Sequence, residues 1–522
     1  MKAGPLVLES IAKLRNQPRK LLKLKSPPSL RHINNCSHSL GSHAVTSNKA
    51  IPSPSPLVAP HSTLGVDILS AAVREDAPAV LEYPEEPVGL PAALLPPDIP
   101  AFMEVHIGDE IGPQGRYTIV RKLGYGSYSS VWLARDREYV RRGASRCVIS
   151  AFISLAFERS APSKYVAIKI LTKQATRLVE KELMQEPRVL GFMRFRAQFK
   201  QGADKCVKLY DEFVCETARN DTGPHICLVT ELLGMGLSRF CKQFPRRALP
   251  LPLLKLSMRH LLIGLNFIHY GCSLTHTDLK PDNIMLASPF SDEEITAILR
   301  DDPPKYYPTM SILDREVRPI VSQPLPTPPV PMDKLVFKLA DFGHAQICEE
   351  EVTDDISPRA FRAPEIILQC GWNFKVDMWA VGCLVRHDPQ QPTLFFTECL
   401  LQTFELLTGS QLFTPEDNPA EGITADDDHL LRIMQIQGRP FPAEFLADSF
   451  NRDQFFNADG TLIHMPTKID PRTIAERIRD SETVEGPQEL AAAAAFIERC
   501  LQCVPEDRPD AEVLIKDPWL QG

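Results

Sequence analysis

The chain has 522 residues, is 43% hydrophobic and carries a formal net charge of −8 at pH 7. This length allows one two-lobed domain with tails, or two ordinary domains. The mildly acidic balance excludes the strongly basic surface of a typical nucleic-acid-binding protein, so we expect no direct nucleic-acid partner. Local carboxylate clusters can still favour a basic peptide as partner.

The cysteines and the apolar segments bear on the cellular location. The 13 cysteines follow no repeating framework, which predicts a reducing compartment. The one CxxC, from Cys500 to Cys503, lacks a second pair and predicts a buried helix face rather than a zinc site. No apolar run approaches the roughly 18–20 residues that span a bilayer, so no membrane partner is expected. We therefore expect a monomer in the cytoplasm and/or the nucleus.

Residues 1–104 form a Pro- and Ser-rich tail without regular patterning, which predicts disorder. Its opening, MKAGPLVLESIAKLRNQPRKLLKLK, is basic, with Glu9 as its only acid. This composition also suits a mitochondrial transit peptide, so the sequence leaves cleavage of the tail and mitochondrial import open.

A regular pattern begins near residue 105. RYTIVRKLGYGSYSSVWLARD alternates as two strands around a glycine-containing turn, and KYVAIKIL and HICLVTELLG are further strands. TRLVEKELMQEPRVLGFM has helical spacing, and PLLKLSMRHLLIGLNFIHYG is an amphipathic helix closed by Gly271. Mostly helices follow. This order predicts an α+β fold, with a β-rich N-lobe at 105–233 and a helical C-lobe at 234–522.

The segment 287–334 is rich in proline and includes PLPTPPVP. We interpret it as a spacer that loops out of the fold.

A glycine-rich stretch, from Gly124 through Gly126 to Ser129, lies in a strand–turn–strand context. That context argues against a dinucleotide-binding turn, which leads into a helix, and fits a flap over nucleotide phosphates. Glycines let the backbone N–H groups approach anionic oxygens closely. The motif alone is equally that of a plain hairpin, because Ser129 replaces the third glycine.

Lys169 in VAIK is a lysine in an otherwise apolar strand. A buried ammonium needs partners, which phosphate oxygens and a helix carboxylate can supply. Glu186 is the preferred partner and Glu182 the second choice. The alternative is an edge-strand lysine that points to solvent.

The stretch LTHTDLKPDNIML concentrates polar groups between apolar residues. Asp278 is placed to accept or orient a substrate hydroxyl, and Lys280 to neutralise a phosphate in transfer. Asn283 and Asp341, the latter in KLADFGHA, offer the hard oxygen ligands that Mg²⁺ prefers. The alternative, which involves no catalysis, is a loop that connects two buried strands.

Order and spacing decide between these interpretations. The flap, strand lysine, HxDxKxxN, DFG, RAPE and DMWAVGC occur in the sequence that the protein-kinase template requires. We therefore expect a kinase fold, with ATP and Mg²⁺ as cofactors and an ion pair between Arg508 and Glu365. The template assigns ATP contacts to Leu123, Gly124, Gly126, Ser129, Val131, Ala167, Lys169, Glu186, Thr230, Glu231 and Leu233, with backbone groups of Glu231 and Leu233 facing the adenine.

Several stretches narrow the match. Over about residues 105–520 the chain resembles the SR-protein kinase family, which belongs to the CMGC group, and in particular the fungal members of that family. The stretches that carry the resemblance are HTDLKPDNI, TDDISPRAFRAPEII, DDDHLLRIMQIQGRPFP and FFNADGTLIHM. The resemblance implies a non-specific serine/threonine protein kinase that acts on Arg/Ser-rich splicing factors in mRNA processing. DFG stands where close family members often carry a leucine, which does not forbid catalysis.

Thr277 takes the place of the arginine in the usual His-Arg-Asp motif. That arginine normally gathers a phosphorylated activation-loop residue. We therefore expect activity without activation-loop phosphorylation.

Acidic residues near the activation segment can attract an Arg-rich peptide, or can be merely solvated surface charges. The sequence favours neither of these two interpretations over the other. The residues are Glu349, Glu350, Glu351, Asp354, Asp355 and Asp426 to Asp428.

Two stretches interrupt the template, 140–164 and 385–402. The second divides DMWAVGCL from TFELLTGSQLF, which the template joins as one buried helix, and its Pro389 and Pro392 would break that helix. Both stretches open with Val-Arg, whose codons can read GTNCGN, and end in Lys or Gln, whose codons can end in AG. Our hypothesis is that both are retained introns, the alternative being true insertions. A transcript read across either junction decides between them.

Two other functions compete with an active kinase. One is a kinase-shaped binding protein without turnover, and the other is a misannotated isoform that does not fold as written. The complete set of Lys169, Asp278, Asn283 and Asp341 favours the enzyme, because binding alone does not need all four.

Overall fold

The computed structural model describes residues 87, 89, 101–139, 163–216, 223–312, 315–327, 330–348, 353–383, 403–408, 412–465 and 471–521. The predicted tail up to residue 100, apart from 87 and 89, lies outside these residues. So do nearly all of the stretch 140–164 and the whole of 385–402, on which the intron hypothesis rests.

The N-lobe is built on a six-stranded antiparallel sheet in the order β1-β2-β3-β4-β6-β5. Smaller sheets follow, β12-β9-β7 and β13-β8 in the C-lobe and β10-β11 in the spacer. The strands are β1 (Glu110–Ile111), β2 (Tyr117–Gly126), β3 (Ser129–Asp136), β4 (Tyr165–Leu171), β5 (Leu209–Cys215), β6 (His225–Thr230), β7 (Leu233–Gly236), β8 (Leu274–Thr275), β9 (Ile284–Ala287), β10 (Met310–Ile312), β11 (Arg315–Val317), β12 (Phe337–Leu339) and β13 (Gln346–Ile347).

Two helices belong to the N-lobe, one to the spacer and the others to the C-lobe. They are α1 (Lys173–Glu180), α2 (Glu186–Arg196), α3 (Leu237–Cys241), α4 (Leu251–Asn266), α5 (Asp292–Asp301), α6 (Pro364–Leu368), α7 (Lys375–Gly382), α8 (Thr403–Thr408), α9 (Ala425–Gln437), α10 (Ala443–Ala447), α11 (Arg452–Phe455), α12 (Ile474–Ser481), α13 (Pro487–Cys500), α14 (Ala511–Ile515) and α15 (Pro518–Gln521).

Local sequence accounts for several of these boundaries. Thr424 and Thr473 begin α9 and α12 with capping boxes, in which a hydroxyl accepts from the N3 amide and an acidic N3 side chain returns the bond. Pro187 lies in the first turn of α2, where its missing N–H costs nothing. Gly438 ends α9 in the left-handed conformation.

The long helix α4 lies in the C-lobe core. The stretch Pro245–Gly271, which contains α4, has 27 residues and is long and apolar enough by composition to cross a membrane, contrary to the sequence expectation that no such run exists. However, 61% of its most apolar window is buried inside the protein, with Leu254, Met258 and Leu262 fully covered. A core helix meets the same length and composition criteria.

The spacer packs against the N-lobe, contrary to the expectation that it loops out. Ser291 caps its helix α5, and Ile295 of that helix is buried in a cluster with Leu133 and Ala167 of the sheet. Arg121, a buried cation on β2, bonds to the backbone carbonyl of Asp302 at the end of α5. A Pro-rich composition therefore did not prevent this segment from burying apolar surface.

The helix interrupted at 385–402 appears as two helices, α7 and α8, which pack against each other. Leu406 and Leu407 of α8 are buried, and the backbone carbonyl of Leu406 accepts a hydrogen bond from the Leu249 amide at 2.7 Å. Both halves of the predicted helix therefore remain in the C-lobe core. Cys500 and Cys503 are also buried there as free thiols.

The predicted ion pair of Arg508 and Glu365 is confirmed. Two guanidinium nitrogens reach the two carboxylate oxygens at 2.6 and 2.7 Å, and both side chains are almost fully buried. The guanidinium also lies over the Trp379 ring at 5.0 Å from the centroid. Bidentate geometry of this kind suits Arg, which keeps its charge when buried.

Glu212 on β5 is a half-buried acid beside Asp211. Burial, followed by the Asp211 charge, raises the pKa of Glu212 to about 7 from 4.5. One of its carboxylate oxygens is buried without a hydrogen-bond partner among the described residues. The folded chain therefore binds a proton there more tightly than the unfolded chain.

The substitution Glu212→Gln should stabilise the protein at pH 8 and have little effect near pH 4.5. Because the folded pKa is raised, the carboxyl stabilises the fold below about pH 4.5, and this contribution is lost as pH rises to about 7. We expect a gain of about 1–3 kcal/mol at pH 8, measured by chemical denaturation across this range. The exposed Glu216→Gln is the control, and a pH-independent effect of Glu212→Gln would contradict the assignment.

Candidate active site

Lys169 lies on a central strand. β4 pairs with β3 through Val131 opposite Lys169 and with β6 through Lys169 opposite Leu228. Its side chain is 19% exposed. The edge-strand alternative is therefore wrong, and the lysine points into the space between the lobes.

The ammonium of Lys169 joins two acids from different parts of the fold. It donates to both carboxylate oxygens of Glu186 at 2.7 and 2.9 Å and to Asp341 Oδ1 at 2.8 Å. Glu186 is the first residue of α2 and is buried, whereas Glu182, the second choice, is exposed in the preceding turn. The partner of the lysine is thus Glu186.

The charges of this trio depend on one another. Burial opposes the charge of Lys169, but Asp341 and Glu186 outweigh it and raise the pKa of the lysine. Burial likewise favours protonated Asp341, but Lys169 outweighs it and holds the pKa of Asp341 far below its usual range. For Glu186 burial dominates and raises the pKa. Asp341 is therefore ionised at neutral pH and, with 44% of its side chain exposed, faces the cleft.

Asp278 lies in a loop with its predicted neighbours. Its carboxylate oxygen Oδ2 accepts from Lys280 Nζ at 2.9 Å and from Asn283 Nδ2 at 3.2 Å. Burial opposes the charge of Lys280, but the Asp278 carboxylate outweighs it and raises the pKa of the lysine. Asp278 is only 6% exposed, so it is a poorly solvated acceptor at the floor of the cleft.

Asp278 and Asp341 share one cleft. Asn283 bonds to Asp278 through its side chain, and its backbone carbonyl accepts from the Ala340 amide at 2.8 Å. Ala340 directly precedes Asp341. Lys280 also contributes to lowering the pKa of Asp341. The two carboxylates that the sequence singled out therefore belong to the same site.

His276 is a structural member of the loop. It is fully buried, and burial lowers its pKa, so the ring is neutral at pH 7. Nδ1 accepts from the Asp278 amide at 3.4 Å, which leaves Nε2–H to donate to the Ala340 carbonyl at 3.1 Å. The ring thus connects the segments that carry the two carboxylates.

The buried carboxylate of Asp377, on α7, holds the backbone of the same loop. It accepts from the amides of His276 and Thr277 at 2.8 and 2.9 Å and from the His269 ring at 2.8 Å. In the sequence, Asp377 was recognised only as part of the motif DMWAVGC. Its function required the structure, because its partners lie about a hundred positions away.

Thr277 has a left-handed backbone with φ of 64°, which is unusual for a β-branched residue. Its hydroxyl donates to the His344 carbonyl at 2.7 Å. Its own carbonyl accepts from the hydroxyl of Ser357, in the activation segment, at 2.7 Å. Hydrogen bonds therefore hold the loop that carries Asp278 to both ends of that segment.

The glycine-rich hairpin covers the cleft. A Cβ placed on Gly124 or Gly126 would meet no atom within 4 Å, so space is open beside this backbone for anionic oxygens. Ser129, in place of the third glycine, is buried at the start of β3. At the tip, Tyr128 packs edge-on against His344, with ring centroids 6.3 Å apart.

Apolar residues line the cleft on the linker side. Leu123, Val131 and Ala167 pack in one cluster with Leu232, which the sequence interpretation missed. Leu325 of the spacer is buried in the same cluster. Leu232 lies between Glu231 and Leu233 in the linker, and this position was the sequence signal that could have identified it as a cleft residue.

The hydrogen bonds of the linker determine which backbone groups of Glu231 remain available to a nucleotide. The Glu231 amide donates to the Lys208 carbonyl at 3.0 Å, so it is not free for an adenine. The Glu231 carbonyl accepts from the Thr230 hydroxyl at 3.1 Å and retains a second lone pair. The Glu231 side chain bonds to Lys338 Nζ at 2.7 and 2.8 Å. Leu233 begins β7 opposite Ala287.

The acidic residues proposed to attract a basic peptide divide into two groups. Asp427 is buried and serves the capping box of α9, and Asp428 bonds to Arg432 at 2.8 Å. Asp354 and Asp355 are exposed beside the activation segment. Asp427 is therefore a structural acid and not a surface attractant. Glu349, Glu350 and Glu351 lie outside the described residues.

The donor set suits a hard cation. Asp341 is ionised, and the Asn283 amide nitrogen donates to Asp278, which leaves the amide oxygen of Asn283 available as a ligand. Carboxylate and amide oxygens are ligands that Mg²⁺ accepts. Asp341 and Asn283 would therefore hold the ion.

The comparisons with known proteins agree with this geometry. A family model described as protein kinase domain matches residues 117–520. Serine/threonine-protein kinase SRPK of Physarum polycephalum is 28% identical over 78% of this chain and 86% of that protein. Protein kinase dsk1 of Schizosaccharomyces pombe is 24% identical, over 80% and 83% respectively.

SRSF protein kinase 3 of Mus musculus is 23% identical over 80% of this chain and 88% of that protein. The crystal structure of a kinase domain matches with a TM-score of 0.51 and 21% identity, over 80% of this chain and 98% of that chain. The latter likeness shows the fold. From the match of its family model and the agreement of its relatives, the chain belongs to the protein kinase family and is similar to the SR-protein kinases.

Proposed function

We propose that the chain transfers the γ-phosphate of ATP to serines of Arg/Ser-rich proteins such as splicing factors, with Mg²⁺ as cofactor. The observation that carries the proposal is the single cleft that contains Asp278, Lys280 and Asn283 beside the trio of Lys169, Glu186 and Asp341. A relative named SRSF protein kinase 3 supports the class of substrate.

Each residue has a specific task in this mechanism. Asp278 orients the serine hydroxyl and accepts its proton, and Lys280 offsets the negative charge that develops on the phosphoryl group. Lys169 binds the ATP phosphates that are not transferred, and Glu186 fixes the orientation of this lysine. Asp341 and Asn283 would hold Mg²⁺, which would neutralise phosphate charge when bound.

Basic substrates are favoured by exposed acids beside the cleft. Asp354 and Asp355 are exposed in the activation segment, where Asp355 pairs with Arg362, and Asp417 pairs with Arg359 at 3.4 Å. Exposed carboxylates attract an Arg-rich chain mainly by accelerating its encounter, so this preference should weaken with salt.

The substitution Asp278→Ala should lower phosphotransfer to an Arg/Ser-repeat peptide by about 10²–10⁴-fold, because the proton acceptor is lost. Radiolabel transfer from ATP measures the rate, with a Lys/Ser-repeat peptide as the matched substrate. The control is Asp333→Ala, since Asp333 is 72% exposed and its salt bridge, at 3.7 Å, is to the adjacent and equally exposed Lys334. Equal rates for Asp278→Ala and the unsubstituted enzyme would contradict the mechanism, and nucleotide binding without labelling would favour the binding-protein alternative.

The enzyme should be active without phosphate on its activation segment. Hydrogen bonds of Thr277 to His344 and Ser357 hold that segment, in place of a pair between arginine and phosphate. Phosphatase treatment of the purified enzyme should therefore leave the rate unchanged. Thr277→Val should lower it by about tenfold, because the His344 carbonyl loses its donor, whereas Thr277→Ser should not. Loss of activity after phosphatase treatment would contradict this account.

A further inference from the structure

Ser357 is a serine of the activation segment that directly precedes Pro358. Its neighbours Asp355 and Arg359 are exposed, whereas Ile356 and Phe361 anchor the segment in the core. Ser357 itself is half-buried. A serine followed by proline, in a surface segment, fits the substrate pattern of proline-directed protein kinases.

The backbone at Ser357 is strained. Its φ is 62°, in the left-handed region, and the following proline restricts this residue further. Such a conformation persists only where other contacts determine it. The contacts here are the Ser357 hydroxyl, which donates to the Thr277 carbonyl at 2.7 Å, and Arg362 Nε, which donates to the Ser357 carbonyl at 3.2 Å.

The partner of the Ser357 hydroxyl is an acceptor. The Thr277 carbonyl belongs to the peptide that leads directly into Asp278. A phosphate on Ser357 has no proton to give at neutral pH in its dianionic form, and it brings up to two negative charges against this carbonyl oxygen. Two acceptors repel, so the modified side chain must leave Thr277.

We propose that Ser357 is a phosphorylation site for a proline-directed kinase and that its phosphorylation switches the enzyme off, an inference that rests on the proposed function. The modifying kinase forms the bond from Ser357 Oγ to phosphorus as the bond from the γ-phosphorus to the bridging oxygen of ADP breaks, and the hydroxyl proton passes to the catalytic base of the modifying kinase. Phosphorylation releases the activation segment from Thr277, and the peptide before Asp278 then rotates out of its strained conformation.

Two arginines of the activation segment, Arg359 and Arg362, do not offer a ready receptor for an activating phosphate. Arg362 bonds to the carboxylate of Asp355, and Arg359 pairs with Asp417 at 3.4 Å. At the position where kinases often hold a receptor arginine, this chain has Thr277. The balance of charges therefore favours repulsion from the loop over a new ion pair.

Phosphoserine placed at position 357 of the full chain during translation tests the effect. We expect kcat for an Arg/Ser-repeat peptide to fall by at least about tenfold, because a small displacement of the catalytic carboxylate is sufficient. Hydrogen–deuterium exchange should accelerate in residues 274–283, and phosphatase should reverse both changes, which also shows that the protein folds. Ser357→Ala should lose only about two- to tenfold, since it removes one hydrogen bond without adding charge.

Phosphoserine at Ser53, another serine followed by proline, is the matched control and should change neither quantity. An unchanged or higher rate with phosphoserine at 357, together with unchanged exchange, would overturn the proposal. Should the unmodified enzyme fail to label the peptide, the proposed substrate class is wrong, and the exchange measurement still decides whether phosphate at 357 releases the loop.

Accessibility of the site is tested separately. The folded enzyme is incubated with a mitogen-activated protein kinase and ATP, and the modified residues are mapped by mass spectrometry. We expect phosphate on Ser357 as well as on Ser53 of the tail. Labelling of Ser53 without any labelling of Ser357 would show that the site is closed and would reject it.

Discussion

The buried carboxylate of Asp377 is the constraint on which the active site depends. A charge that is 1% exposed is tolerated only where donors surround it, and here the donors are two consecutive loop amides and the His269 ring. These bonds fix the backbone that presents Asp278. Because Asp377 belongs to α7, the geometry of catalysis is tied to the core of the C-lobe.

That dependence gives the interruption after α7 its significance. The carboxylate is in the first turn of α7, and the helix ends at Gly382, just before the inserted stretch. Leu406 and Leu407, which follow the inserted stretch in the sequence, are nonetheless buried in the core. The folded core thus tolerates two short helices where the kinase template has one, provided that both keep their buried faces. This tolerance is compatible with a true insertion and with a retained intron alike.

A second constraint connects the lobes. Lys169 belongs to the N-lobe sheet and Asp341 to the C-lobe, so their contact exists only when strand, helix α2 and the DFG segment are assembled together. The hydrogen bonds of Thr277 and the packing of Tyr128 on His344 act on the same segment. Short polar contacts within the chain thus hold a segment that many kinases hold through a phosphate. The spacer contributes as well, since Leu325 and Ile295 pack beside the apolar wall of the cleft.

The sequence by itself determined the fold class, the family resemblance and the residues that meet in the cleft. These follow from motif order, because Lys169, Asp278, Asn283 and Asp341 need particular chemistry at particular points of the chain. It also predicted the pair of Arg508 and Glu365, which is confirmed.

Only the tertiary structure decided what depends on distant contacts. It showed that the Asp427 side chain caps helix α9 and that the Glu231 amide is hydrogen-bonded to the Lys208 carbonyl. It also showed that the Pro-rich spacer packs on the sheet. It also revealed the bond from Ser357 to Thr277. Composition and spacing report what a residue can do, whereas the partner that satisfies its polar atoms comes from another part of the chain and is known only once the chain is folded.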